Sequence, residues 1–331
     1  MPPTPEPGPD AVAARLRAAL AGLDLTVDAV SVARDDADVP SYPDGPRPSS
    51  VVALEGGRHS GRGEHVGWTA ADHARFAAAA PDAVPRGRSR LGEWPAALAA
   101  LPRYDRAALE AAAIDLALRQ HAVGLLALAG AAPRSIRYVV SFARVADPAA
   151  EARAQGAVEL KVDADPAWDE EVLRRLAAAG RVAVVDWKGG GDHAAHLRAH
   201  ACFPDALVED PAPEGRPWPA SLEARLAVDA ALERATDLDA LPLRFVAANL
   251  KPARMGGVLE LLEAASRCAA HGMTIYLGGM FEVAVGRRQL HALAAALCPD
   301  GPNDVAPIAR AGAAAARPPR LPVGDAPGFG A

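Results

Sequence analysis

Val158-Glu159-Leu160-Lys161-Val162, Val184-Val185-Asp186, Leu207-Val208-Glu209-Asp210-Pro211, Leu226-Ala227-Val228-Asp229 and Ala248-Asn249-Leu250-Lys251-Pro252 are five apolar runs, each ending in charge. The charged residues stand in the order Lys, Asp, Glu, Asp, Lys, at steps of 25, 23, 20 and 22 residues. One strand, one helix and two short loops need about that length. Charges recurring at strand C-termini with βα spacing predict a (β/α) TIM-type barrel whose site lies at the C-terminal face. Three carboxylates, Asp186, Glu209 and Asp229, suit a hard divalent cation. Lys161 and Lys251 on either side supply two amine acid/bases.

Working outward, the same pattern predicts a first barrel strand over 135–142, a seventh over 273–277, and a weak last strand near 305–308. Helices are expected over 167–179, 192–201, 219–225, 257–271 and 287–298. A long helix over 105–122, with Asp105 as its N-cap, joins the barrel to what precedes it. Upstream, 11–22 reads as a short helix, Leu25–Ala33 as one alternating strand, 42–48 as a loop, and 50–55 and 61–68 as extended pieces. The expected organisation is a partly disordered lead and short helix (1–22), a small α+β capping domain (23–104), the barrel (105–316) and a Pro/Gly-rich tail (317–331).

The bulk numbers bound the function. The chain has 331 residues and a net charge of −6 without a basic block, so nucleic acid is not an expected partner. No apolar run is long enough to span a bilayer, and Met1–Pro9 lacks the pattern of a signal peptide. Three widely spaced cysteines show no metal-ligand spacing and fit a reduced, cytoplasmic setting. His193, His196 and His200 share a helical stripe, read as a surface face rather than a zinc site. Gly189-Gly190-Gly191 reads as a turn. Gly256-Gly257 precedes an amphipathic helix and could present an anion site at its N-terminus; turn geometry alone would also explain it.

With these residues placed, the chain resembles the enolase superfamily, in its muconate-lactonising branch, with o-succinylbenzoate synthase and N-acylamino acid racemase as the nearest types. Lys161 matches the second lysine of the family's Lys-x-Lys, and Asp186, Glu209 and Asp229 match its acids on three successive strands. Asn249-Leu-Lys-Pro-Ala-Arg-Met-Gly-Gly257 is close to the family's sixth-strand stretch. Gly278-Gly-Met-Phe-Glu-Val-Ala-Val-Gly-Arg287 is similar to its seventh-strand loop. Gly61-Arg-Gly-Glu64 and Ala107–Leu116 match the end of the capping domain and its junction helix. The resemblance implies Mg²⁺ on the three acids and proton abstraction α to a carboxylate by Lys161 and Lys251, through an enediolate. It implies a lyase or racemase acting on a small-molecule carboxylate, in a homo-oligomer. Asn249, Gly279, Met280 and Glu282 are expected around the metal or substrate; Glu64 is expected to be structural.

Three positions depart from the family pattern. Glu159 stands in place of the first lysine, Lys188 in place of the usual Asn, and Ala230 in place of a common Glu. Period two directs Glu159 and Lys161 to one face, and likewise Asp186 and Lys188. At ~4 Å and an effective dielectric of ~20, a cation beside Asp186 interacts by ~4 kcal/mol, enough to compete with a metal. Alternatively Glu159 and Lys188 could pair across adjacent strands and leave Asp186 free. The rival readings are a metal-poor relative that binds a carboxylate without turnover, and a dipeptide epimerase or cycloisomerase on the same scaffold.

Overall fold

The structure is a computed structural model that describes residues 9–37, 46–156, 158–213, 216–308 and 317–330. The N-terminal part is α+β. Strands β1 (Asp24–Val27), β2 (Ala29–Arg34), β3 (Ser50–Gly56), β4 (His59–His65) and β5 (Gly87–Arg90) form a two-stranded antiparallel pair, β1–β5, and a three-stranded antiparallel sheet, β2–β3–β4. The expected single strand Leu25–Ala33 is therefore two. It breaks at Asp28, whose N–H donates to the Glu55 carbonyl and whose carboxylate accepts from Gly57 N. Each half then joins a different sheet.

The helix Arg103–Gln120 packs along β4, where glycines let the backbones meet. A Cβ at Gly63 would lie 2.0 Å from the Ala108 carbonyl oxygen, so only glycine fits. Asp105 is not the N-cap. Pro102 holds that position, and Asp105 is buried inside the first turn, 2.9 Å from His65 Nε2.

The barrel follows. β6 (Val139–Phe142), β7 (Glu159–Asp163), β8 (Arg181–Asp186), β9 (Leu207–Glu209), β10 (Leu226–Val228), β11 (Ala247–Leu250) and β12 (Thr274–Leu277) pair in parallel, in sequence order. The expected eighth strand near 305–308 is instead a brief bridge at Asn303 and Asp304. It pairs in parallel with Tyr138 on one side and Gly278 on the other, joining the two edges of the curled sheet. Asn303 explains the position: its amide donates to Arg137, Cys298 and Gly301 carbonyls and accepts from Leu277 N. The tail wraps the fold, with Leu321 bridging Ile136 and Gly328 bridging Gly124.

Strand alternation sends every second residue inward. Lower in the barrel these are small and apolar, including Val139, Val184, Leu207, Ala227 and Ala247. One step further along, the inward residues are Lys161, Asp186, Glu209, Asp229, Asn249 and Lys251, all buried.

Candidate active site

Asp186, Glu209 and Asp229 end or immediately follow β8, β9 and β10. One carboxylate oxygen from each lies within 4.8 Å of the other two. The flanking strands supply the lysines. Lys161, on β7, lies 3.0 Å from Asp186 Oδ2 and also donates to Glu209 Oε1. Lys251, just past β11, donates to Asp229 Oδ2 over 2.7 Å. The structure thus brings the five sequence-predicted residues together, with one lysine on each side of the acids.

Each carboxylate has a further partner. Arg254 donates to Asp229 Oδ1 over 2.6 Å, Tyr276 donates its hydroxyl to Glu209 Oε2, and Asn249 Nδ2 lies 3.4 Å from Glu209 Oε1. Burial disfavours the Lys161 ammonium, but the surrounding carboxylates of Glu209, Asp304, Asp186 and Asp229 outweigh it and hold its pKa well above the lysine range. Burial pushes Glu209 well above the carboxylate range despite Lys161, because Asp229 and Asp186 add like charge. Asp186 goes the other way, to about 2: burial would raise it, but Lys161 and Lys188 prevail. Asp229 is lowered against its burial by Lys251, Lys161 and Arg254.

The two charged departures, Glu159 and Lys188, do not pair with each other. Glu159 sits at the N-terminal end of β7, where Arg137 (2.6 Å) and Arg181 (2.9 Å) hold it. Both arginines stand at the same end of the barrel, so Glu159 faces away from the acids. Lys188 lies beyond β8 at a left-handed φ of 52° and turns back onto Asp186; Asp163 Oδ1 is 3.3 Å from the same ammonium. Its compensating carboxylate is Asp163, on the next strand, and not Glu159.

The remaining candidates form the rim. Gly278 sits against the Lys251 side chain, where an added Cβ would come within 2.6 Å of Cε. Gly279 and Met280 line a cavity of about 600 Å³ above the acids, together with Trp68, Phe281, Arg287 and Asp304. Glu282 is turned away from that cavity and accepts from Met280 N, shaping the loop. Glu64 is structural, accepting from Val283, Ala284 and Gly286 N. Buried Arg47 binds the carbonyls of Val66, Gly67 and Met280, tying the cap to this loop. Above Arg47, Trp68 and Phe281 meet edge to face at 6.1 Å, and both are partly exposed.

Other sequence readings are revised. The N-terminus of the helix Val258–Ala270 is not open to an external anion, because the Glu110 carboxylate already accepts from Leu259 N at 2.9 Å. His196 is buried against Trp187 rather than on a surface face, and His200 lies 3.0 Å from Ser221 Oγ. Sequence reasoning missed Tyr276, Asp304, Asp163 and Arg254 as neighbours of the acids. Period two along 274–277 could have flagged Tyr276, and Arg254 lay within the quoted motif. Asp304 gave no signal, because the closing segment was expected downstream of it.

A capped, closed parallel barrel is the fold seen in solved structures of enolase-superfamily members. The chain belongs to the family described as "Domain of unknown function (DUF8230)", whose C-terminal domain matches residues 132–310 and whose N-terminal domain matches residues 18–128. The chain is similar to an N-succinylamino acid racemase from Amycolatopsis sp, 29% identical over 222 residues. That match covers 58% of this chain and 57% of the relative. Among solved structures, it is similar to a dipeptide epimerase from Methylococcus capsulatus complexed with Mg and the dipeptide L-Arg-D-Lys. That likeness has a TM-score of 0.78 and 24% identity, covering 92% of this chain and 99% of the other. A mandelate racemase/muconate lactonizing protein from Herpetosiphon aurantiacus is similar at a TM-score of 0.75 and 22% identity, over 92% and 98% of the two chains.

Proposed function

We propose that the protein is a racemase or epimerase that moves a proton at the carbon α to a carboxylate. The observation that supports this most directly is the placement of Lys161 on β7 and Lys251 after β11, on opposite sides of the acids carried by β8, β9 and β10. Two amines facing one carbon from both sides suit removal of a proton on one face and its return on the other. The named relatives, an N-succinylamino acid racemase and dipeptide epimerases, support an N-acylated amino acid or dipeptide as substrate class.

The donor set fits a hard divalent cation: three buried carboxylates converge with oxygens within reach of one ion. Asp186, Glu209 and Asp229 would hold it, and Mg²⁺ is the ion proposed. Bound there, it would stabilise negative charge developing on the substrate carboxylate. The chain's own groups do the rest. Lys161 and Lys251 carry the proton, Tyr276 and Asn249 fix Glu209, and Arg254 fixes Asp229. Arg287 and the Trp68–Phe281 rim orient the substrate and limit water at the mouth.

The test is α-proton exchange in D₂O with Mg²⁺, over a panel of N-succinyl amino acids and dipeptides of both configurations. Deuterium incorporation from either enantiomer is expected. Lys161→Ala and Lys251→Ala should each cut turnover by about 10²–10⁴-fold while leaving the fold intact. Undiminished exchange in both variants would sink the assignment, and loss of water to an unsaturated product would move it to a synthase-type lyase. The contact of Lys188 with Asp186 favours one second reading, a relative that binds carboxylates without turnover. Saturable ligand binding without any exchange would select it.

A further inference from the structure

A second cleft, of about 570 Å³, opens on the cap–barrel seam and is lined by residues that the proposed chemistry does not use. Its charged lining is Arg58, Arg62, Arg119, Arg288 and a single carboxylate, Asp115, with neutral Ser60 and Gln289 between them. Asp115 is already engaged: it accepts from Arg62 N and Phe329 N and pairs with Arg119 at 3.1 Å. Arg58, Arg62 and Arg288 are exposed, and among the described residues no acidic side chain pairs with any of them. In a chain of net charge −6, three unpaired guanidinium groups around one concavity form a local positive field.

The backbone adds an independent observation. Gly57 and Arg58 form the two-residue turn between β3 and β4, with φ of 55° and 70°. Such turns favour Gly or Asn at both positions, because a side chain at positive φ is strained. Arginine there is a local cost with no packing return, since its side chain is exposed. Residues that break a local rule without structural gain tend to mark functional positions. The cleft is also rigidly framed. Arg62 belongs to β4, Arg288 to the first turn of the helix Val285–Leu297, and Gln289 Nε2 binds the Arg62 carbonyl across the seam at 2.6 Å.

We infer that this cleft binds a small oligophosphate through Arg58, Arg62 and Arg288. Guanidinium groups match phosphate oxygens in bidentate geometry, and several converging on one cleft select for multiple negative charge. The chemistry is shared by an inorganic phosphate chain and by the phosphate tail of a nucleotide.

The test is calorimetric titration of the full chain with sodium tripolyphosphate, at fixed ionic strength and without divalent ions. Saturable binding with one site per chain is expected. Arg62→Ala and Arg288→Ala should each weaken it about tenfold or more, and the pair should remove it. All these positions are exposed, so thermal stability without ligand should stay unchanged, which separates lost binding from lost folding. ATP and adenosine are then run in parallel. ATP binding more tightly than tripolyphosphate identifies a nucleotide site, and equal affinities identify a phosphate-chain site. Absence of saturable binding, or unchanged binding in the double variant (as when the ligand sits at the lysine-rich barrel mouth instead), would overturn the proposal.

Discussion

The Lys188 ammonium rests on the Asp186 carboxylate, two residues upstream, because the backbone turns through a left-handed conformation at Lys188. The same contact opposes cation binding at the three acids and gives the first prediction. Lys188→Asn should tighten Mg²⁺ binding. The lysine side chain is 45% exposed, so solvent screens the pair and the gain is modest, roughly three- to fivefold in Kd. Isothermal titration of parent and variant measures it. Unchanged or weaker affinity in the variant would show that Lys188 does not compete for Asp186.

At Gly278 the backbone passes close against the Lys251 side chain. A Cβ there would lie 2.6 Å from Lys251 Cε and 2.4 Å from Asn249 Oδ1. Gly278→Ala should therefore displace the lysine rather than unfold the barrel. A misplacement of about 1 Å costs on the order of 10²-fold in rate. Turnover should drop by that order while the thermal midpoint moves by only a few degrees. A fully active variant would mean that Lys251 is not held by this contact or is not used.

Glu110 carries the pH prediction. Burial pushes its carboxyl up to about 7 from 4.5, against the pull of the Leu259 and Val258 N–H groups and Arg106. Its folded pKa thus exceeds its unfolded one, so its contribution to stability is greatest below pH 4.5 and is lost as pH rises towards 7. The full swing is about 3 kcal/mol. Glu110→Gln cannot ionise. Denaturant unfolding between pH 5 and 8 should show the parent losing stability relative to the variant as pH rises. Parallel pH profiles would refute the ionisation account.

Much of this protein was written into periodicity and spacing. Strand–helix repeats of 20 to 25 residues fix a parallel barrel, because a right-handed crossover of that length has few other solutions. Period two along each strand directs Lys161, Asp186, Glu209, Asp229 and Lys251 inward at one level. The split at Asp28 was less legible, since an alternating run looks the same whether it pairs with one sheet or two.

Partnership is what the chain in one dimension did not carry. Asp304 reaches the lysine side of the acids only because Asn303 closes the barrel two residues earlier than the apolar run at 305–308 suggests. Glu159 and Lys188 share a strand-pair neighbourhood in sequence, yet one faces the N-terminal end of the barrel and the other folds back over its mouth, so each takes a different counter-ion. The arginines at 58 and 62 share one hairpin while Arg288 lies more than 200 residues further on, and the three make a common field only where the cap meets the barrel. Local periodicity sets which way a side chain points. Which charges then neutralise one another depends on through-space distance, and tertiary packing alone decides that.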